Sequence, residues 1–251
     1  MSIIDALNTS EQIIDPSAVA RTIEGFPDKV LVTFSQKVLE AAATRFKLTQ
    51  LKEMHCCYTV PVYAFEYKGR KLGIYMTCLG GSAAAGLLEE IFAAGAKRAL
   101  FFGSCGVLDR SIAAGHFIVP TAAYRDEGTS YHYAPASDYI DIPTAAELSA
   151  ALDAIGMPHV QGKTWTTDAI YRETRDGLAK RRAEGCITVE MECASLMAVG
   201  QFRKKAVYQF LYAEDCLDSA EWDPRIMGKQ PATAYEGYLD VALECAIRVK
   251  G

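Results

Sequence analysis

The fold is decided by residues 187–215, which read ITVEMECASLMAVGQFRKKAVYQFLYAED. A short β-prone run meets a Glu-Met-Glu motif at 190–192, apolar residues then recur at helical spacing, and a second apolar run ends in an acidic pair at 214–215. Strand, helix and strand predict a βαβ unit, a right-handed crossover between parallel strands. Acids at the carboxyl ends of both strands are then expected to face one crevice, where open α/β sheets bind their ligands.

The chain before this unit alternates between strand and helix signals. Ser35 and Ser82 are expected to cap the two helices, and Gly69 is expected to lie in the hairpin turn. The predicted elements are a strand at 29–34, a helix at 35–46, a hairpin at 60–78, a helix that stops at Gly95, a strand at 97–102 and a small-residue turn at 103–106.

The second half continues in the same way, without a linker or an internal repeat. We therefore predict a single α/β domain over residues 1–251. The predicted elements are a strand at 116–120, an ordered loop at 121–142, a helix at 145–155, a strand ending at 165–168, an exposed helix at 172–184, then, after the 187–215 unit, a loop at 218–230 and a closing helix at 233–250.

Composition and charge exclude several classes of function. The net charge is −5 and no run of Lys and Arg is dense, so neither nucleic acid nor an anionic membrane is an expected partner. No transmembrane segment and no signal peptide are predicted, which favours a cytoplasmic protein. The eight cysteines lie mostly in apolar runs and the four histidines are scattered, so reduced thiols and no metal site are expected.

The acidic motifs each have two interpretations. One acid of the 190–192 motif could hydrogen-bond a diol such as ribose, or both Glu190 and Glu192 could complement a helix dipole. Asp215 follows an apolar strand and could be a general acid with a raised pKa, or a solvated loop acid. The residues alone leave both choices open.

The small-residue segment at 103–106 also has two interpretations. Its backbone N–H groups and the Ser104 hydroxyl could bind an oxyanion or phosphate, or it could be a tight βα turn. Cys105 is a poor candidate for a nucleophile because no base is evident beside it.

Taken together, the chain resembles the nucleoside phosphorylase family that includes hexameric purine nucleoside phosphorylase, uridine phosphorylase and related nucleosidases. The resemblance runs from about residue 30 to residue 249. It rests on four motifs in order, YKGRKLGIYMTCLGGSAAAGLLEEIFAAGAKRALFFGSCGVL, TTDAIYRET, VEMECASL, and an aspartate at a fixed distance after the VEME core. The fold that it implies is a single-domain three-layer α/β/α sandwich with a mixed central sheet.

The resemblance also implies roles for individual residues. Asp215 would protonate the leaving base, and Glu192 would accept hydrogen bonds from the ribose hydroxyls. The other expected substrate-binding residues are Leu79 near the sugar, Ser104, Cys105 and Gly106 beside phosphate and base, Ile170 and Tyr171 around the base, and Glu190 and Met191 with Glu192 at the sugar. No metal and no cofactor are expected, since phosphate is the co-substrate.

The phosphate end departs from the family pattern. The family's glycine-aspartate-proline loop with its arginine corresponds to 34–38, and two further arginines correspond to Phe101 and Tyr58. The family's N-terminal histidine has no counterpart in residues 1–28. The guanidinium forks that usually bind phosphate are therefore missing. Lys37, Lys68 or Arg125 could substitute, and spacing does not choose among them.

Three functions stay open on these grounds. The favoured one is phosphorolysis of a nucleoside, with purine ahead of uridine, to free base and ribose 1-phosphate. The second is hydrolysis, for which no base that activates water is evident in the sequence. The third is a nucleoside-binding protein without catalysis, which the presence of Asp215 argues against. Nucleoside and phosphate are the expected ligands, and the family implies a homo-oligomer, from dimer to hexamer.

Overall fold

The computed structural model describes residues 3–250, so the ends of the predicted single domain, residues 1–2 and 251, lie outside it. The strands are Lys29–Thr33 (β1), Thr49–His55 (β2), Thr59–Tyr67 (β3), Arg70–Met76 (β4), Arg98–Val107 (β5), Phe117–Asp126 (β6), Tyr139–Asp141 (β7), His159–Thr167 (β8), Cys186–Glu190 (β9) and Ala206–Cys216 (β10). The α-helices are Pro16–Val19 (α1), Gln36–Arg45 (α2), Gly81–Ala94 (α3), Ala145–Asp153 (α4), Arg175–Ala183 (α5), Cys193–Arg203 (α6) and Ala232–Arg248 (α7). Short 3₁₀ helices lie at Ile3–Asp5, Thr129–His132 and Ile170–Arg172.

The strands form one mixed sheet that closes on itself at one end. β1 pairs in parallel with β4 and with β5, and β4, β3 and β2 continue as antiparallel neighbours to the edge. From β5 the order β10, β6, β8 and β9 returns to β5, which makes a small barrel joined to an open sheet. β7 adds to β6.

Helices pack in two groups against this sheet. α2 and α4 both contact α7, which lies against β1 and β5, whereas α1 and α6 both contact α3. The apolar core between them includes the fully buried rings of Tyr75, Phe101, Phe102, Tyr208 and Phe210. The predicted α/β fold, a single-domain three-layer sandwich with a mixed central sheet, is confirmed.

The segment 103–106 is not a turn, and this corrects the sequence prediction. It lies inside β5, paired with β10 along its length. Its glycines serve close packing instead: a Cβ on Gly103 would lie 2.7 Å from Phe34 Cδ2, and one on Gly106 would lie 2.6 Å from Leu217 Cδ1. Small residues allow a turn or a close approach, and the sequence pattern alone does not distinguish them.

The predicted βαβ unit at 187–215 is also wrong in its connection. β9 is antiparallel to β5 and β10 is parallel to it, so β9 and β10 run in opposite directions. The strand and helix signals were correct, but the barrel places β5 between the two strands. The two acidic strand ends still meet, because Gly106 of β5 pairs with Val189 on one side and with Asp215 on the other.

Two further differences concern strands that lack a clear pattern. The sequence does not predict β2, a largely exposed edge strand with one buried residue, Met54. The region at 121–142 is not only a loop, since β6 continues to Asp126 and β7 pairs with it. Arg125 and other polar residues within these strands obscure the alternation that predicts a strand.

Of the two predicted helix caps, one is confirmed and one is wrong, and the helix predicted from residue 172 begins at Arg175. Ser35 stands at the N-cap of α2 as predicted, without a side-chain hydrogen bond. Gly80, not Ser82, stands at the N-cap of α3, where its φ of 93° suits glycine. The hairpin turn and the helix stop are confirmed, because Gly69 has a φ of 70° and Gly95 follows the last residue of α3.

Across residues 3–250, none of the helices combines the length and the apolar character that crossing a membrane requires.

A pair of helical glycines tests the packing of the fold. In Gly200→Ala the new Cβ would lie 2.6 Å from Val207 Cγ2, so we expect a loss of about 1–3 kcal/mol in the free energy of unfolding. Gly86 of α3 has open space around it, so Gly86→Ala should stabilise the protein by up to about 1 kcal/mol. Denaturant unfolding of both variants is the measurement, and equal effects would contradict the packing of α6 on β10.

Candidate active site

A gap along one edge of β5 forms the candidate site. β1 pairs with β5 up to Phe102, and β9 pairs with it from Gly106 onward. Between these partners, on that edge, lie Gly103, Ser104 and Cys105. A place where a strand changes neighbours opens a crevice at the carboxyl ends of the strands, which is where α/β sheets bind ligands. β9 and β10 both pair with Gly106 beside this gap, and Glu192, two residues after β9, contacts the segment before α3.

Glu190 is held entirely by the protein around it. Its side chain accepts hydrogen bonds from Thr166 Oγ1 at 2.6 Å, from the amide of Glu192 at 2.8 Å and from the amide of Cys193 at 2.6 Å. Glu190 therefore accepts from backbone amides at the start of α6. This agrees with the second interpretation of the acidic motif, in which its acids complement the helix N-terminus. Burial raises the pKa of Glu190 to about 7, and these donors oppose that rise.

The Glu192 side chain contacts the segment before α3. Its Oε1 accepts a hydrogen bond of 2.6 Å from the amide of Gly80. Burial and, after it, the charge of Glu190 raise the pKa of Glu192 to about 8, and the charge of Asp168 adds to this rise. Asp168 in turn accepts from the amide of Gly128 at 3.1 Å. Glu192 thus accepts from the backbone amides of Gly80 and Met191, and its carboxyl group remains costly to ionise without further donors.

Asp215 lies at the end of β10 under a tryptophan. Trp222 Nε1 donates to Asp215 Oδ2 at 2.7 Å, although 60% of the Trp222 residue surface is exposed. Burial raises the pKa of Asp215, and the Trp222 hydrogen bond opposes that rise. Burial that raises the pKa of a carboxyl group favours the protonated form that a general acid requires.

The loop that carries Trp222 is fastened by arginines. Arg175 Nη1 donates to the carbonyl of Ser219 at 3.4 Å, and the Arg175 side chain also contacts the carbonyl of Ala220. Arg110 donates to the carbonyl of Asp218 at 2.6 Å. These contacts fix the indole over Asp215.

The side chains expected around sugar and base lie at the surface. Leu79 is 71% exposed, Ile170 47% and Tyr171 95%, and Met191 is half-buried beside Glu192. Large apolar side chains left in water beside buried carboxyl groups are typical of a ligand-binding wall. Glu173, which follows Ile170–Arg172, is also near, since burial and the charge of Asp215 raise its pKa to about 7.

Glu214 is a further carboxyl group at the gap in β5. Ser104, the exposed residue of the gap, hydrogen-bonds to Glu214, and Gln230 also donates to Glu214. Burial, followed by the charge of Asp215, raises the pKa of Glu214, and the charge of Lys37 opposes this rise. Cys105 is buried, and burial raises the pKa of its thiol well above the usual range, which agrees with its exclusion as a nucleophile.

The phosphate end contains aromatic rings in place of guanidinium groups. Phe101 is fully buried, and Phe34 lies against it with ring centroids 6.3 Å apart. Arg125 does not substitute, because its guanidinium donates to Ser130 Oγ at 2.7 Å and to the carbonyl of Pro135 at 2.6 Å. Lys68 pairs with Glu244. Of the three residues predicted to replace the arginines, Lys37 is the one whose charge lowers the pKa of Glu214.

Three residues of this site were missed from the sequence: Glu173, Trp222 and Gly80. Gly80 contributes a backbone amide to Glu192, whereas Trp222 and Glu173 come close to Asp215 only in the folded chain. Trp222 carried a signal as one of two tryptophans in the chain, and Glu173 lies within the quoted motif TTDAIYRET.

A separate cleft of about 650 Å³ lies at the opposite ends of the strands, beside Lys29, Arg70 and Arg98. It contains none of the predicted site residues. Lys29 there donates to the carbonyl of Ala246 at 2.7 Å. The candidate active site is therefore the gap in β5 and not this cleft.

The architecture and the motifs agree with a match to a known family. The model of the phosphorylase superfamily matches residues 28–230. The chain belongs to the phosphorylase superfamily. This match includes the gap in β5, the strand that ends in Glu190 and the strand that ends in Asp215.

Two curated relatives are similar over part of their length. The guanosine phosphorylase of Halorubrum lacusprofundi is 28% identical over 143 residues, which are 54% of this chain and 57% of that one. The uridine phosphorylase of Thermococcus kodakarensis is 32% identical over 112 residues, 42% of this chain and 39% of that one. The chain thus matches less than two thirds of the length of either.

Solved structures share the fold. Uridine phosphorylase from Vibrio fischeri superposes with a TM-score of 0.77 at 22% identity, over 91% of this chain and 95% of that one. AMP nucleosidase from Bacteroides thetaiotaomicron superposes with a TM-score of 0.69 at 22% identity, over 88% and 87%.

The burial of Glu192 predicts a pH-dependent stability. A carboxyl group whose folded pKa of about 8 exceeds its unfolded value stabilises the fold at low pH and loses that contribution as pH rises toward 8. Glu192→Gln removes this titration while Gln can still accept from Gly80. We expect equal stability at pH 5 and a variant about 1–3 kcal/mol more stable at pH 8. Denaturant unfolding at both pH values measures it, and a difference that does not change with pH would contradict the assignment.

Proposed function

We propose that this protein cleaves the N-glycosidic bond of a purine nucleoside. The observation that carries the proposal is the pair of buried carboxyl groups, Glu192 and Asp215, each with a raised pKa, which follow or end the two strands that pair with β5 at Gly106. Cleavage requires a group that binds the sugar as positive charge develops on it and a group that protonates the departing base. The two carboxyl groups suit these two tasks.

Glu192 is the proposed sugar ligand. Its carboxylate accepts from the ribose hydroxyls, with Met191 and the exposed Leu79 covering the sugar. These new donors would replace the solvation that burial removes, and they would lower the pKa of Glu192. Its negative charge then stabilises the oxocarbenium-like sugar that forms as the bond breaks. Glu190 keeps the start of α6 in place and is not needed as a ligand.

Asp215 is the proposed general acid. In its protonated form it transfers its proton to the imidazole nitrogen of the purine, while the electron pair of the C–N bond leaves with the base. Trp222 orients the Asp215 carboxyl through its indole N–H, and Ile170 with Tyr171 forms the wall of the base pocket. Asp215 is left ionised and regains its proton before the next turnover.

The charge at the gap favours water as the nucleophile. Glu214 lies at the gap beside Ser104, and Phe101 stands where the family pattern has an arginine, so neither offers a phosphate dianion a positive partner. Glu214 supplies the base that the sequence did not reveal. It accepts a proton from the attacking water as oxygen bonds to the anomeric carbon, and the products are free ribose and free base.

Phosphorolysis is the second candidate. The similarity to proteins named guanosine phosphorylase and uridine phosphorylase favours it, as does Lys37 beside Glu214. In this case phosphate attacks the anomeric carbon next to Ser104 and Cys105, and the product is ribose 1-phosphate. Because the chain matches only part of those relatives, their substrates are carried over as a proposal.

An assay of base release decides between the two nucleophiles. Protein dialysed free of phosphate is incubated with inosine, adenosine or uridine, with and without added phosphate. We expect release of purine without phosphate, with free ribose as the second product and with uridine the poorest substrate. Release only with phosphate, giving ribose 1-phosphate, would establish phosphorolysis instead. Absence of base release from all three would overturn glycosidic cleavage.

Substitution of the acid tests its role. Asp215→Asn should lower kcat for inosine by two orders of magnitude or more, because the base can no longer be protonated. A nitrophenyl riboside, whose leaving group needs no proton, should lose much less. Asp176→Asn, at an exposed position in the first turn of α5, is the matched control and should retain full activity. Equal losses on both substrates would remove the general-acid role.

Substitution of the base tests the water route. Glu214→Gln keeps a partner for Ser104 and Gln230 but cannot accept a proton from water. We expect its phosphate-independent turnover to fall by at least tenfold with little change in KM. An unchanged kcat for hydrolysis would show that Glu214 is not the base.

A further inference from the structure

Two adjacent cysteines and a third from a distant part of the sequence lie together near the segment that joins β4 to α3. The ligand atoms of Cys56, Cys57 and Cys78 all lie within 4.8 Å of one another. Their positions follow from the fold, because Cys56 and Cys57 occupy the turn between β2 and β3 while Cys78 follows β4, the neighbour of β3. The spacing in sequence resembles no CxxC motif, which is why the sequence predicted no such group.

The turn brings the two adjacent cysteines to the same side. It spans only residues 56–58, and it is closed by a hydrogen bond of 3.1 Å from the Cys56 amide to the Tyr58 carbonyl. The Tyr58 hydroxyl hydrogen-bonds to the Cys78 thiol. An oxygen group therefore stands next to the three sulfurs.

We propose that Cys56, Cys57 and Cys78 bind a thiophilic cation of the zinc class. Tetrahedral ligands at a Zn–S distance of about 2.3 Å lie roughly 3.8 Å apart, which the separation of these atoms accommodates. Three thiolates select zinc over magnesium or calcium, which prefer oxygen ligands. The Tyr58 hydroxyl or a water completes the four ligands. Each cysteine loses its proton on binding, and no oxidation is involved.

The site would connect two parts of the protein. A bound cation ties the β2–β3 turn to the segment after β4, and Gly80, two residues beyond Cys78, donates its amide to Glu192. The cation is a structural one in this proposal, because the thiols are not among the groups that we assign to sugar, base or nucleophile. The proposal is therefore independent of the reaction that the gap in β5 catalyses.

Zinc titration of the full-length protein tests the proposal. Untagged protein is reduced, freed of metal and reductant under nitrogen, and titrated with zinc against a chromophoric chelator. We expect one zinc per chain, with affinity reduced at least tenfold in Cys56→Ser and in Cys57→Ser. Both positions are exposed, so these variants should fold normally. His55→Asn, at the exposed neighbouring residue, is the control and should bind zinc as the unaltered chain does.

Thiol labelling gives a second readout. Among the described residues Cys56 and Cys57 are the exposed cysteines, so a thiol reagent should modify two groups in the folded protein and fewer when zinc is present. Zinc binding no tighter than that of a Cys56→Ser/Cys57→Ser variant would overturn the proposal. Labelling at the same rate with and without zinc would also overturn it. A third contrary result would be a Cys56–Cys78 disulfide, found by mass spectrometry in the non-reduced protein, together with no zinc binding after reduction.

Discussion

The change of partner along β5 is the constraint on which the candidate site depends. β1 leaves β5 at Phe102 and β9 joins it at Gly106, so the sheet turns into a barrel at this point. β10 remains paired on the other edge. The glycines at 103 and 106 make the transition possible because Phe34, Val189 and Leu217 occupy the space that side chains would fill. The gap that results is lined by the ends of three strands.

Carboxyl groups collect beside this gap, and the charge of Arg225 opposes the rise in the pKa of Asp215. The protein holds Glu190 with backbone and hydroxyl donors, whereas Glu192 and Asp215 keep lone pairs for a ligand. Burial therefore costs stability at neutral pH, and a sugar and a base recover part of that cost when they bind. This arrangement favours an uncharged ligand and an uncharged nucleophile over a phosphate dianion.

The sequence predicted the fold class well and the connections between its strands poorly, and the roles given to the acidic residues stay predictions. Apolar periodicity identified β9, α6 and β10 correctly, since each has a long buried face. Periodicity carries no information about which strands pair, so β9 and β10 were expected to be parallel and adjacent. The edge strand β2 has almost no buried face, and Trp222 and Glu173 reach Asp215 only through loops. Glu214 was visible as an acid, but its contact with Ser104 depends on the ladder between β5 and β10.

A crystal structure with a non-cleavable purine nucleoside analogue tests the central claim most directly. The account predicts that the ribose hydroxyls donate to Glu192 and that the imidazole nitrogen of the base lies within hydrogen-bond distance of Asp215, with the anomeric carbon facing Ser104 and Glu214. An analogue bound in the cleft beside Lys29 and Arg98, or bound at the gap with its sugar away from Glu192, would contradict it.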